Sequence, residues 1–304
     1  MTDHPGPIDE SLAAQIRALP CFAGVADMAE LGGGMTNRNY RVDDRTGRYV
    51  VRLGQDIPEH GVLRWHELAA ARAAHAAGIS PEVVYAAPGV LVSRFIDGRT
   101  LQAQDLRAEG QLAALVPMLQ RCHREIPRYL TGPVLMFWVF QVVRNYLSRL
   151  QVQTDGELRH RLAEFAALAR LLEQAVGPVE IVFGHNDLLA ANWIDDGQRL
   201  WLIDWDYAGF NSPLFDLANL SCNNGFDAAQ DQALLSAYFG QAPEANCSRA
   251  FLAMRCASAL RETLWAMVSQ QVSTIEIDYR TYASDWCERL DISRQDFEAG
   301  RRLP

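Results

Sequence analysis

IVFGHNDLLAANWIDDGQRLWLIDWDYAGFNSPLFDLAN, residues 181–219, is the stretch from which the rest of the chain is read. Two short apolar runs, Glu180–Phe183 and Leu200–Ile203, have the character of buried strands. Each delivers a carboxylate just past its end, Asp187 and Asp204, and Asn192 lies between them. Two carboxylates and an amide brought together by turns make a hard-oxygen cluster suited to Mg²⁺.

Each residue has a plainer explanation. A lone Asp in a loop is usually a solvated turn residue or a helix cap, and a lone Asn before a strand is usually turn chemistry. Their joint order and spacing is harder to dismiss. D-x4-N, an apolar strand and then I-D is the pattern of the catalytic segment of a kinase-type phosphotransferase. The usual writing, H-R-D-x4-N followed by D-F-G, reads here His185-Asn186-Asp187-x4-Asn192 and Asp204-Trp205-Asp206.

Composition narrows the class. A chain of 304 residues is long enough for one large domain or two lobes, and 49% hydrophobic with 21% charged residues is ordinary for a globular enzyme. The net charge of −9 argues against a nucleic-acid binder working through a basic surface and is compatible with a cationic small substrate. The six cysteines are scattered without a CxxC pair, so reduced thiols and a cytoplasmic protein are expected. MTDHPGPIDESLAAQ does not read as a signal peptide, and the longest apolar stretch, 134–140, is too short to span a bilayer.

Upstream, Asp9 is placed to cap a helix with Leu12, Ile16 and Leu19 on its apolar face, ended by Pro20. Tyr40–Val42 and Tyr49–Leu53 read as strands joined by a polar turn, and the strand before them ends in Gly32-Gly33-Gly34. Such a turn lets backbone N–H groups approach phosphates, although three glycines alone are more often a hairpin. Arg52 reads either as an ordinary edge-strand arginine or as the strand-borne cation that holds nucleotide phosphates. The second role needs a helix supplying a glutamate, and the helical stretch 62–77 contains Glu67, with Gly78 as its stop. After strands at 82–86 and 89–95, Phe95-Ile96-Asp97-Gly98 marks a hinge, and the rest is almost wholly helical. These helices are placed at 101–124 with an interruption near Pro117, then at 137–150, 157–176, 228–239 and 248–272. Asp216 either caps a helix or anchors the catalytic loop from below. Near the C-terminus Tyr279, Tyr282 and Trp286 lie at i, i+3 and i+7, a stripe suited equally to core packing and to an aromatic box for a quaternary ammonium.

These residues together resemble the choline/ethanolamine kinase branch of the aminoglycoside-phosphotransferase-like kinases. GHNDLLAANW, LIDWDYAGFNSPLFDLANL and WAMVSQQVSTIEIDYRTYA carry most of the likeness, which runs from residue 32 to residue 283. The resemblance implies an α+β, two-lobed protein-kinase-like fold. Residues 1–96 would form a small nucleotide-binding lobe with an antiparallel sheet, and 97–304 a large, mostly helical catalytic and acceptor-binding lobe. Asp187 would be the catalytic base, Asn192 and Asp204 the Mg²⁺ ligands, and Arg52 with Glu67 the phosphate-binding pair. Gly33, Gly34, Thr36 and Asn37 would lie over the phosphates of ATP. Asp216 would hold the catalytic loop.

Trp265, Tyr279 and Tyr282 match aromatic positions of the choline site. Animal members carry a second tryptophan three residues before the one matching Trp265, where this chain has Glu262, and their Asn-His-Phe-x-Glu-Trp reads Asn219 to Asn224 here without the Glu. Glu262 is therefore expected to face the cationic head group of the acceptor. The implied function is ATP-dependent phosphorylation of a small amino alcohol, choline first. The alternatives are another acceptor (thiamine, ethanolamine or an aminoglycoside) or a nucleotide-binding regulator that has lost catalysis.

Overall fold

The structure is a computed structural model that describes residues 8–32, 35–152, 156–273, 275 and 277–300. Gly33 and Gly34, expected over the phosphates, lie outside the described residues.

The small lobe is an antiparallel sheet of β1 (Val25–Leu31), β2 (Arg38–Asp44), β3 (Gly47–Leu53), β4 (Val83–Ala87) and β5 (Val90–Arg94), in the order β1-β2-β3-β5-β4. Period-2 alternation puts Tyr40, Val42, Tyr49, Val51 and Val92 on one face. There they bury against Ile16 of α1 (Glu10–Arg17), whose N-terminus Asp9 caps by accepting from Ser11 N at 2.7 Å. β3 is the central strand, so Arg52 is not an edge residue and its side chain leaves from the middle of the sheet.

α2 (Arg64–Ala76) connects β3 to β4, and its alanine face (Ala70, Ala71, Ala73, Ala74) buries in the core of the helical lobe. Gly78, at φ 68°, turns the chain at its C-terminus. Between β3 and α2 the chain forms a tight hairpin, in which Ile57 N donates to Val62 O at 2.9 Å and Val62 N to Ile57 O at 3.1 Å.

The helical lobe follows β6 (Arg99–Thr100) and comprises α3 (Ala103–Leu106), α4 (Leu112–Glu125), α5 (Val139–Gln151), α6 (Gly156–Val176), α7 (Pro213–Asn224), α8 (Ala228–Phe239), α9 (Ala245–Val272) and α10 (Tyr279–Glu298). The expected interruption at Pro117 is not there. The break falls at 107–111, where Gly110 takes φ 80°, and α4 runs through Pro117. Burial of Leu115, Val116, Met118 and Leu119 on both sides of the proline holds the helix despite the missing N–H. α9 is the central pillar, with nineteen of its residues buried, and α5, α6, α7 and α10 all pack on it.

Short strands seat the site. β7 (Val182–Gly184) pairs with β10 (Gly209–Asn211), while β6, β8 (Trp193–Asp195) and β9 (Leu200–Leu202) form a three-stranded ribbon. β6 joins this ribbon directly after the hinge, and Gly98 makes that possible. A Cβ at Gly98 would stand 2.6 Å from the Asp195 carbonyl oxygen and 2.8 Å from Ile194 Cγ2. Gly98→Ala should therefore cost about 1–3 kcal/mol of stability through overpacking against backbone, read as a fall in the urea midpoint at unchanged m-value.

Candidate active site

β7 ends at Gly184, and the next three residues form a loop locked from beneath. Asp216, in the first turn of α7 and wholly buried, accepts from His185 N at 2.9 Å and from Asn186 N at 2.8 Å. His123 Nε2 completes its shell at 2.9 Å. Burial pushes the Asp216 carboxyl up, but the His123 and backbone hydrogen bonds outweigh that and hold it below the usual range. Of the two roles expected for Asp216, the anchor is the one observed; Ser212 caps α7 instead.

Asn186 takes the left-handed conformation, φ 66°, which asparagine tolerates. Its Nδ2 lies within hydrogen-bonding distance of the carbonyls of Tyr207 (3.0 Å) and Gly209 (3.2 Å). His185 is buried and neutral. Its Nδ1 accepts from Asp187 N at 3.3 Å, which leaves Nε2 to donate to Ile203 O at 2.9 Å. Two further α7 side chains hold the loop: Asn219 Oδ1 accepts from Leu188 N at 2.6 Å, and Asn224 Nδ2 donates to Leu188 O at 2.9 Å. Asn219 stands three residues after Asp216 and so shares its helix face, a spacing that marks it in the sequence.

This frame presents Asp187. Burial raises its pKa to about 7, with Arg261 opposing and Glu262 adding to the rise. Asn192 Nδ2 donates to the Asp187 carbonyl at 2.9 Å, which leaves the amide oxygen of Asn192 as its free donor to a cation. Asp204, φ 70°, follows β9 and shares with Asn192 an interlobe cleft of about 390 Å³ that also takes in Arg52, Glu67 and Phe95.

Arg52 organises the cleft. Its Nη1 lies 2.6 Å from Glu67, 2.9 Å from Asp204 and 3.0 Å from Asp206. Arg64, not singled out by sequence reading, joins Glu67 at 2.7 Å and Asp206 at 2.8 Å. Its signal was the i, i+3 spacing to Glu67. Thr36 Oγ1 and Asn37 Nδ2 each donate to Asp206 at 3.0 Å, which ties the end of the glycine loop to the same cluster. Two guanidiniums face three carboxylates, leaving one excess negative charge. The Asp204 side chain, 29% exposed against 3% for Glu67 and Asp206, is the carboxylate open to a further cation. That donor chemistry fits Mg²⁺.

The aromatic residues gather where α9, which carries Trp265, packs on α10, which carries Tyr279 and Tyr282. Trp265 sits 5.9 Å from Tyr279 and 6.0 Å from Tyr282, both edge-on, so the three rings converge. Trp265, Tyr279 and Trp286 are all buried in the main core, and Tyr282 is partly buried against it. Glu262 is already engaged: Arg261 Nη1 lies 2.5 Å from one carboxylate oxygen and the Tyr282 hydroxyl donates to the other at 2.8 Å. Arg261, missed by sequence reading, also reaches Asp187 at 3.5 Å and lies over the Tyr207 ring at 4.5 Å. Trp265 lines a second cavity of about 1020 Å³, bounded also by Thr36, Asn37, Asp56, Glu59 and His60.

The family model described as choline/ethanolamine kinase matches residues 28–254. LicA of Haemophilus influenzae is 29% identical over 192 residues, which is 62% of this chain and 56% of that protein, so the match spans little more than half of the relative. Ethanolamine kinase 2 of Mus musculus is 25% identical over 278 residues, 82% of this chain and 71% of the relative. Among solved structures, a choline/ethanolamine kinase family protein from Mesorhizobium loti superposes with a TM-score of 0.78 at 28% identity, covering 96% of this chain and 97% of the other. Among the described residues no helix is long and apolar enough to cross a membrane.

His60, in the wall of the larger cavity, gives a pH signature. Burial, with Arg261 and Arg149 nearby, pushes its pKa down to about 3, against roughly 6.5 in an unfolded chain. Its contribution is complete above pH 6.5 or so and is lost as pH falls toward 3, because the unfolded state binds the proton first. Between pH 7 and pH 5 the stability difference between the wild type and His60→Gln should shrink by about 2 kcal/mol, read from urea unfolding at the two pH values.

Proposed function

Because the chain belongs to the choline/ethanolamine kinase family, we propose that it transfers the γ-phosphoryl group of ATP to the hydroxyl of a small amino alcohol, choline first. The observation that supports this reading is a chain of contacts through Asp187: Asn192 bonds its carbonyl, Arg261 meets its carboxylate at 3.5 Å, and Arg261 in turn pairs with Glu262, which accepts from Tyr282. In this reading residues 1–96 supply the nucleotide lobe and 97–304 the catalytic and acceptor lobe.

Phosphoryl transfer asks for positioning and charge neutralisation rather than covalent chemistry on the protein. Asp187 orients the acceptor hydroxyl and takes its proton as the oxygen attacks the γ-phosphorus; the bond to the β-phosphate oxygen breaks and ADP leaves. Asp187 is held by its backbone to Asn192 and by its carboxylate to Arg261, so it meets the hydroxyl in a fixed orientation. Mg²⁺, held by Asn192 and Asp204, would neutralise phosphate charge. Arg52, kept in place by Glu67, offers its guanidinium to the phosphates, and Thr36 and Asn37 hold the loop above them.

The acceptor's ammonium would sit against Trp265, Tyr279 and Tyr282, gaining about 0.5–2 kcal/mol by cation–π attraction. A second reading stays within the family. Glu262, Tyr282 and Arg261 make this wall polar, which favours an ammonium carrying N–H donors, as in ethanolamine, over a trimethylammonium that has none.

The direct test is ADP release with Mg·ATP across choline, ethanolamine, thiamine and one aminoglycoside, each against an acceptor-free blank. Choline-dependent release is expected, and release with none of the four would remove the acceptor assignment. Asp187→Asn should lower kcat by about 10²–10⁴-fold, the usual worth of a positioned base, while the affinity for Mg·ATP changes little. Substantial residual turnover would refute the base assignment. Glu262→Gln should raise the acceptor KM, and an unaltered KM would remove Glu262 from the acceptor site.

A further inference from the structure

The hairpin between β3 and α2 reaches across the lobes. Its base is tied to the charged cluster: Asp56 accepts from Arg64 N at 2.7 Å, and Arg64 Nε donates to Gln55 O at 2.9 Å. Its tip, closed by the Ile57–Val62 pair, carries His60 into the helical lobe. There His60 Nδ1 meets the Tyr146 hydroxyl of α5 at 3.1 Å, and Nε2 meets Ser269 Oγ of α9 at 3.0 Å. The imidazole lies 5.2 Å from the Trp265 indole at an interplanar angle of 32°. Both ring nitrogens are satisfied by hydroxyls, which can donate or accept, so the neutral ring fits in either tautomer.

His60 is thus four residues from Arg64 and in contact with Trp265. One short tether joins the groups facing the phosphates to the ring proposed to face the acceptor. Among the described residues, the neighbours of His60 in the hairpin engage differently: Val62 and Ile57 pack into or against the main core, and Glu59 lies 3.8 Å from Arg149. A neutral ring also leaves the indole without a competing cation on that side.

We propose that His60 is a positioning residue that couples the nucleotide site to the acceptor site by transmitting order in the β3–α2 hairpin to Trp265 and the C-terminal turns of α9. The inference rests on the acceptor reading of Trp265, yet its structural half is testable without any acceptor. Coupling of this kind requires only that one ligand order what the other must use.

Backbone hydrogen exchange is followed in the full chain with and without saturating Mg·AMP-PNP. In the wild type the nucleotide should slow exchange in residues 54–63 and also in 265–272, by about 5-fold or more, the lower edge of ordinary coupling. In His60→Ala and His60→Gln the protection of 54–63 should persist and that of 265–272 should vanish. Ser269→Ala, which removes a single bond, keeps the test open if the His60 variants do not fold, and should give a reduced effect. Kinetically, the His60 variants should raise the acceptor KM several-fold more than they raise the Kd for Mg·AMP-PNP alone. Equal protection of 265–272 in wild type and variants, or none in the wild type, overturns the coupling. Failure of acceptor-dependent ADP release overturns the acceptor reading instead, so the two failures are told apart.

Discussion

One guanidinium holds the site together. Arg52 leaves the central strand of the sheet and touches three carboxylates, one from α2 and two from the segment after β9. Desolvating such charges costs several kcal/mol per ion, so the cluster is a poor source of net stability. What it imposes is geometry. Glu67 and Asp206 are 3% exposed, and neither tolerates the loss of its cationic partners. The strand, the helix and the loop must therefore meet in one arrangement. Arg64 doubles the restraint, and the bonds of Thr36 and Asn37 to Asp206 extend it to the loop above.

A second buried carboxylate does the same for the loop of residues 185–188. Asp216 supplies acceptors to two consecutive backbone N–H groups that no strand or helix could satisfy. Asn219 and Asn224 hold Leu188 by its N–H and C=O. One face of α7 thus grips the loop through four hydrogen bonds. This grip is what lets Asn186 keep a left-handed backbone while Asp187 is presented beside it. Asp187 and the Arg52 cluster therefore depend on separate buried carboxylates, Asp216 for the one and Glu67 with Asp206 for the other.

What the sequence disclosed follows from how local each signal is. The segment 181–219 holds Asp187, Asn192, Asp204 and Asp216 within thirty residues, and short-range spacing was enough to assemble them. The two-lobed α+β architecture was legible because strand alternation gives way to helical periodicity at one point. Arg52 and Glu67 were found because they lie fifteen residues apart on adjacent elements. His60 pairs with Ser269 across 209 residues, and Arg261 reaches Asp187 across 74. No spacing rule spans such distances, since each looks like an unremarkable helix or turn residue until the lobes fold together. Pro117 misled for the opposite reason: a strong local signal was overruled by tertiary packing on both sides of it.

The alanine face of α2 has a further consequence. In protein kinases the helix bearing the glutamate is where activation is controlled, by whether the Lys–Glu pair is in place. Here that helix is part of the larger core. Ala70, Ala73 and Ala74 are buried in it, Arg121 donates to the Ala77 carbonyl at the helix end, and Trp205 Nε1 bonds Ser80 just beyond at 2.7 Å. Small side chains let the helix sit close, and swinging it outward would open the packing of the whole lobe. The Arg52–Glu67 pair therefore rests on the packing of the helical core, because the helix that carries Glu67 is built into that core.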